Sequence, residues 1–366
     1  MSYVAVKGGS AAIRAAHRLV HKRMRGDDPD APEIAPRQIC EQMHLGVDRV
    51  MAEASLYDTD LAARAMLQAQ GDMIEAIFLL RAYRATLTRF LDSTPLTTDT
   101  MRVQRRISAA FKDVPGGQQL GPTYDYSHRL FGYFDRLETE PETGSGKTEA
   151  PPEPMTSVMD LLEKEGLMEP AAVGEPLAEN TQQDITQYPL LFPATRAQRL
   201  QSLARGDEGF LLSMAYSTQR GYGQNHPFIA ELRMGDVTLE ITPPELGFSI
   251  EIGTITVTEC QMINQFQAQS PEEAAFTRGY GLVFGHNERK AIAMALVDRA
   301  LRAGGLGEEA LSPAQNEQFI LSHCDNVEAT GFVEHLKLPH YVDFQSEIQT
   351  LRHLHKTAAK DGADRV

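Results

Sequence analysis

Between about Asp135 and Asn180 the chain turns to Pro, Glu, Thr and Gly, and its apolar residues lose regular spacing. Such a stretch buries little, so it reads as a linker that divides the 366 residues into parts of different pattern. Ahead of it the spacing is helical. Ser10 is placed to cap a helix ending near Gly26, with Lys22, Arg23 and Arg25 complementing the dipole of its last turn. Asp72 with Glu75 resembles a capping box opening the apolar run Ile74, Ile77, Phe78 and Leu80. Met101 to Phe111 reads as a basic helix followed by a glycine-rich loop, and one short helix is expected inside the linker near Val158–Lys164.

Beyond Gln187 the period changes. Val237, Leu239 and Ile241 alternate with polar residues, as do Phe248, Ile250 and Ile252, then Ile255 and Val257. Gly235-Asp236, Pro243-Pro244 and Gly253 punctuate these runs, which predicts an antiparallel meander. A helix from about Glu288 to Arg302 follows, with Asn287 as its N-cap. The expected fold class is α+β. A mostly helical domain covers 1–135, a variable Pro/Glu-rich linker 136–185, and a catalytic and metal-binding domain with an antiparallel sheet and helices 186–366.

With 42% hydrophobic residues the chain can bury a core, yet no stretch approaches the roughly 20 apolar residues of a membrane span. Lys7, Gly8 and Gly9 interrupt any apolar leader, so a cytoplasmic location is expected. Cys40, Cys260 and Cys324 are too few for a four-thiolate iron–sulfur cluster and too scattered for a disulfide framework. A net charge of −15 disfavours nucleic acid as a partner, so any polyphosphate would need local basic clusters.

Two apparent nucleotide motifs fail. Gly144-Ser-Gly-Lys-Thr148 has Pro141 where a phosphate-binding loop needs its first glycine, and no apolar strand precedes it. The glycines of Gly279–Gly285 precede the apolar run that a dinucleotide fingerprint requires them to follow.

The basic clusters sit beside glycines. Arg220-Gly-Tyr-Gly223 and Arg278-Gly-Tyr-Gly281 repeat one tetrapeptide: Arg220 and Arg278 could hold phosphate oxygens, while Tyr222 and Tyr280 stack on a base. Two glycine-rich turns with surface arginines would give the same sequence. Lys7-Gly-Gly-Ser10 leads into a helix N-terminus, as an anion site or as a capping turn. Arg105 and Arg106, if helical, point about 100° apart, so one of them would face a site.

His335 and His340, with Pro339 between them, carry the metal-like signal. A five-residue step turns about 140° around a helix and changes face on a strand, so neither regular element aims both rings at one ion. Pro339 pushes Leu338 toward extended geometry, and the segment reads as a strand end folding into a turn that can join the rings. Asp343 is near enough to add an oxygen ligand or orient a ring. Histidines in a loop can equally be solvent-facing or hydrogen-bonded.

The block Asn326–Phe344, containing His-Leu-Lys-Leu-Pro-His340, and the two Arg-Gly-Tyr-Gly segments resemble the PhnI family of the bacterial carbon–phosphorus lyase system. The resemblance extends through Tyr3-Val-Ala-Val-Lys-Gly-Gly9, Ala76–Arg84, Arg105-Arg-Ile-Ser-Ala109, Gly121-Pro-Thr-Tyr-Asp-Tyr126, Arg205-Gly-Asp-Glu-Gly209 and Phe276–Leu301. It fails between about Arg136 and Ile185. It implies that His335 and His340 bind zinc or a similar metal at the boundary with the partner subunit PhnJ, to which the radical cleavage on a cluster belongs. It further implies a phosphonate oxygen displacing adenine from MgATP at the anomeric carbon, with PhnG, PhnH and PhnL as partners and PhnK expected beside them. The product is ribose 1-phosphonate 5-triphosphate, and the subunit alone acts like an ATP or GTP nucleosidase.

That chemistry needs a carboxylate beside an oxocarbenium-like carbon, a proton donor for the purine, and donors for the phosphates. Asp207 and Glu208, between Gly206 and Gly209 and ahead of the apolar run Phe210–Ala215, are the first candidates, although the same pair suits a helix N-cap. Glu288 and Asp343 are the alternatives, and His226 and His128 the candidate proton donors. Two other readings stand beside this one: a non-catalytic scaffold completing a metal site for PhnJ, and a free-standing purine nucleosidase.

Overall fold

A computed structural model of the chain describes residues 9–26, 28, 30, 32–126, 129–132, 156–169, 184–220, 226–267, 270–271 and 274–363. Five helices come first: α1 (Gly9–Met24), α2 (Pro36–Gln42), α3 (His44–Ala54), α4 (Thr59–Gln68) and α5 (Met73–Arg84). Asp72 caps α5 as its sequence predicts, accepting from the amides of Ile74 and Glu75. Then follow β1 (Arg102–Ile107), α6 (Val158–Lys164), α7 (Arg196–Arg205), α8 (Glu208–Arg220), β2 (Phe228–Ile241), β3 (Ile250–Gln267) and β4 (Ala275–Phe284). The chain ends in α9 (Glu288–Leu301), α10 (Glu317–His323), α11 (Asn326–Glu334) and α12 (Tyr341–Ala363). The architecture is α+β.

The strands form one antiparallel sheet in the order β1-β2-β3-β4, with the expected meander at its centre. Strand β1 stands where the sequence suggested a basic helix over Met101–Phe111. Adjacent strand residues face opposite sides, and each side supplies one buried arginine with partners. Arg105 reaches Glu288, Asp125 and the Leu120 carbonyl, while Arg106 reaches Glu231 and the carbonyls of Pro115 and Thr156. On a helix the two side chains would diverge by about 100° and would not divide between two faces in this way.

Helix α9 packs closely on β4, and glycine permits the approach. A Cβ on Gly279 would lie 2.1 Å from the Ala295 carbonyl oxygen, and one on Gly281 equally close to that of Ala291. Leu232, Cys260, Met262 and Val283 of the sheet close the core against Ala291, Met294 and Ala295. The tetrapeptide Arg278–Gly281 is therefore part of a strand, not a loop. Short helix α6 falls where the sequence placed it. Its Val158, Met159 and Leu162 pack against Met168, Ala230 and Ile263, so this part of the expected linker belongs to the core.

Two compact units emerge, residues 35–326 and residues 1–34 with 327–366. Within the larger unit β1 pairs with β2 from Arg102↔Asp236 to Ile107↔Leu232, joining residues on either side of the Pro/Glu-rich stretch. In the smaller unit a 3-10 turn over His335–Lys337 follows α11, and Leu338 is extended ahead of Pro339 at φ −74°, ψ 155°. Helix α12 starts two residues later, so the turn joins two helices and no strand ends there. Among the described residues no helix is long and apolar enough to cross a membrane.

Candidate functional site

Strand β1, the β4–α9 junction, α3 and the start of α8 bring a polar cluster together in the larger unit. Its anchor is Arg105, 2% exposed, whose Nε donates to Glu288 Oε1 at 2.5 Å and whose Nη2 donates to Asp125 at 2.7 Å. Burial pushes the Glu288 carboxyl upward, but the His286 hydrogen bond and the Arg105 charge outweigh it and hold the group below its ordinary range. His286 Nε2 lies 3.5 Å from Glu288 Oε1, and the His286 ring stacks near His44 with centroids 6.4 Å apart. His44 Nε2 in turn contacts the Tyr124 hydroxyl at 2.9 Å. Burial raises that hydroxyl above the usual phenol range.

The junction is pinned from below. Gly285 has φ +67°, and a Cβ there would come within 2.3 Å of Asp48 Cγ. Asp48 uses that space to accept from the His286 amide at 3.0 Å, and burial raises its carboxyl.

A second group of charges adjoins the first. Arg49 donates to Glu53 at 3.0 Å and to Asp207 at 2.8 Å, and Glu53 Oε1 accepts from the Glu208 amide at 3.1 Å. Glu208 holds the exposed Arg289 through Nε and Nη2, at 3.0 and 2.9 Å. Lys290 is fully buried, its Nζ 3.7 Å from Glu53 and without a hydrogen-bond partner among the described residues; burial lowers it from the ordinary ammonium value. Between the two groups lies a polar cleft of about 120 Å³, lined by Arg49, Tyr124, Arg129, Glu208, His286 and Glu288 among others.

The residues singled out from sequence divide sharply. Glu208 and Glu288 line the cleft, and Arg105 holds Glu288 from behind. Asp207 serves as the N-cap its sequence allowed, accepting from Phe210 N at 2.6 Å. Arg106 is enclosed by Glu231 and backbone carbonyls. Arg278 is engaged by Glu163 at 3.0 Å and by the Glu169 carbonyl at 2.6 Å, on a strand the sequence had read as a binding loop. Tyr280 donates to Glu259 at 2.9 Å, and burial holds its hydroxyl far above the phenol range. Arg220 ends α8 in contact with Tyr216, whose hydroxyl accepts from its Nη1 at 2.7 Å. His226 lies against Phe228, and Asp343 is exposed in the first turn of α12. Lys7, Tyr222, His128 and the Gly144–Thr148 segment lie outside the described residues.

His44, Asp48, Arg49, Tyr124 and His286 were not legible as site residues. They are scattered from α3 to the β4–α9 junction, and only the neighbours His286 and Glu288, flanking the expected N-cap Asn287, offered a local signal.

The His335 and His340 rings meet edge to face in the smaller unit, with centroids 5.5 Å apart. Each Nδ1 faces a backbone carbonyl, of Phe332 for His335 and of Leu338 at 2.7 Å for His340. A carbonyl facing Nδ1 favours the tautomer with its hydrogen there, which would leave Nε2 of each ring as an available donor. Among the described residues no group of three or more His, Cys, Asp or Glu is placed to hold an ion. Two imidazoles would be half of a tetrahedral zinc set, and any further ligands would have to come from outside the described residues.

A family profile described as bacterial phosphonate metabolism protein (PhnI) matches residues 2–358. A curated protein of Rhizobium meliloti (strain 1021), alpha-D-ribose 1-methylphosphonate 5-triphosphate synthase subunit PhnI, is 55% identical over 365 residues, covering 99% of this chain and 98% of its own. The protein of the same name from Escherichia coli (strain K12) is 55% identical over 353 residues, 96% of this chain and 98% of its own. A putative C-P lyase subunit protein HtxH of Stutzerimonas stutzeri is 42% identical over 362 residues, 96% and 95% of the two chains.

Proposed function

The chain belongs to the PhnI family of bacterial phosphonate metabolism proteins, and on that footing we propose that it is the glycosyl-transfer subunit of a ribose 1-methylphosphonate 5-triphosphate synthase. A phosphonate oxygen attacks the anomeric carbon of MgATP; the bond to the purine nitrogen breaks, its electron pair leaves with adenine, and a proton neutralises the base. The observation that carries this reading is the cleft holding Glu288, kept ionised by Arg105, beside His286 and the guanidinium groups of Arg49, Arg129 and Arg289.

In this reading Glu288 stabilises the positive charge developing on the sugar, and its low pKa suits the role because the carboxylate stays charged at neutral pH. His286 is the proton donor to the purine. Arg289 and Arg129, both exposed, reach for triphosphate oxygens, and Glu208 orients Arg289. Glu288 thus takes the place expected first of Asp207 and Glu208: the oxygens of Asp207 are occupied by the helix cap and by Arg49, and Glu208 holds Arg289.

His335 and His340 would hold zinc or a similar ion through Nε2, supplying Lewis-acid chemistry to a site completed by a partner such as PhnJ. This pair favours a second reading, in which the chain is a scaffold for a metal site and catalysis lies on partner subunits, expected to include PhnG, PhnH, PhnJ, PhnL and PhnK. Adenine release from MgATP by the full chain, with and without methylphosphonate and those partners, separates the two. Release that the partners redirect to a ribose phosphonate supports glycosyl transfer; no release under any combination leaves the scaffold.

A further inference from the structure

A second cavity of about 430 Å³ lies in the larger unit, and its character is opposite to that of the polar cleft. Val257, Leu282 and Phe284 of the sheet, Ala52 of α3 and Ala204 of α7 form apolar walls, while Ser55, Thr186, Gln201 and Arg205 supply a few polar groups. That size and that mixture suit a flat heteroaromatic ligand, which buries its faces and is oriented through its edge. Phe284 is a fixed wall. Tyr57 meets its ring edge-on with centroids 5.5 Å apart, and the Tyr57 hydroxyl is itself held by the Thr256 amide at 2.9 Å.

Three chain segments contribute to both cavities. Helix α3 gives Leu45 and Arg49 to the polar cleft and Ala52 to the apolar one, at i, i+4 and i+7 on a single stripe. The α7–α8 junction gives Arg205 to one and Glu208 to the other. The end of β4 gives Leu282 and Phe284 to the apolar side, and the turn beyond it gives His286 and Glu288 to the polar side. From Arg49 to Ser55 the helical rise is about 9 Å, a separation on the scale of one nucleoside. A ligand with an apolar ring at one end and phosphates at the other matches that order.

We infer that the apolar cavity receives the purine ring of the nucleoside triphosphate, with the ribose lying between the cavities and the phosphates at the polar cleft. The inference rests on the glycosyl-transfer reading above and locates its leaving group. It places the breaking bond at the His286–Glu288 edge of the β4–α9 junction, with the base held by burial and ring contact.

Two measurements on the full chain test it. Ala204→Leu, which fills the cavity at a half-buried position, is expected to weaken binding of MgATP and of free adenine by roughly tenfold or more. Binding of inorganic tripolyphosphate is expected to stay unchanged. Independently of any variant, photolabelling with 8-azidoadenosine triphosphate, protected by ATP, is expected to mark peptides containing Ala52–Ser55 or Leu282–Phe284. ATP-protected label on other peptides, with unchanged adenine affinity in Ala204→Leu, overturns the assignment, while adenine release leaves the glycosyl-transfer reading intact. Labelled cavity peptides with no adenine release from MgATP would sink that reading and keep the base site.

Discussion

Arg105 Nε donates to Glu288 Oε1 at 2.5 Å, tying a guanidinium buried on β1 to a carboxylate in the first turn of α9. The pair does two things at once. It neutralises a fully buried charge, and it leaves Glu288 ionised at the wall of the polar cleft.

Glu288→Gln keeps the shape and removes the charge. Adenine release is expected to fall roughly 10²–10³-fold, the usual consequence of deleting one electrostatic contact to a transition state. Arg105 retains Asp125 and the Leu120 carbonyl, so the variant is expected to stay folded. Initial rates beside a thermal melt check both parts. A full rate with an unchanged melt removes Glu288 from the chemistry.

How far the sequence reached depends on how local each signal was. The cap Asp72, helix α6 and the meander were legible because patterns of a few neighbouring residues define them. Strand β1 was not, since Arg105 and Arg106 read as part of a basic helix until the carboxylates of Glu231 and Glu288, over a hundred positions away, are in place. The second Arg-Gly-Tyr-Gly misled for a related reason: glycine serves close approach to a helix backbone as well as to a ligand. Of the candidate site, Glu208 and Glu288 were legible as acids beside a helix start. The His44–Tyr124 contact and Asp48 depend on tertiary placement and left no local trace.

Gly281→Ala tests the helix–sheet contact. The added methyl would sit 2.1 Å from the Ala291 carbonyl oxygen, a backbone atom that can move only with α9. A loss of about 1–3 kcal/mol or more is expected, read as a lower melting temperature and urea midpoint. Because α9 carries Glu288, adenine release should fall along with stability. An unchanged midpoint would mean that α9 lies farther from β4.

His335→Ala and His340→Ala address the metal pair. Each variant should lower the zinc content of the assembled complex, measured by mass spectrometry after gel filtration. The pair and the polar cleft belong to different units, so under the glycosyl-transfer reading adenine release by the chain alone should change less than about threefold. Loss of adenine release together with the metal would join the two sites in one reaction.

Asp48 gives a pH signature with a definite sign. Burial raises its folded-state pKa above the ordinary carboxylate value, so folding favours the protonated form. Its contribution to stability is full below the unfolded pKa and is lost as pH rises through the folded one. An asparagine at this position would present a neutral side chain that can still accept from the His286 amide, and it carries no such titration. Asp48→Asn is therefore expected to raise stability at neutral pH and to match the parent chain in acid, where both side chains are uncharged. Urea midpoints across pH 4 to 8 give the difference directly. A variant that is less stable at neutral pH, with the gap closing in acid, would show that the charged carboxylate is favoured by His44 and His286 more strongly than burial opposes it.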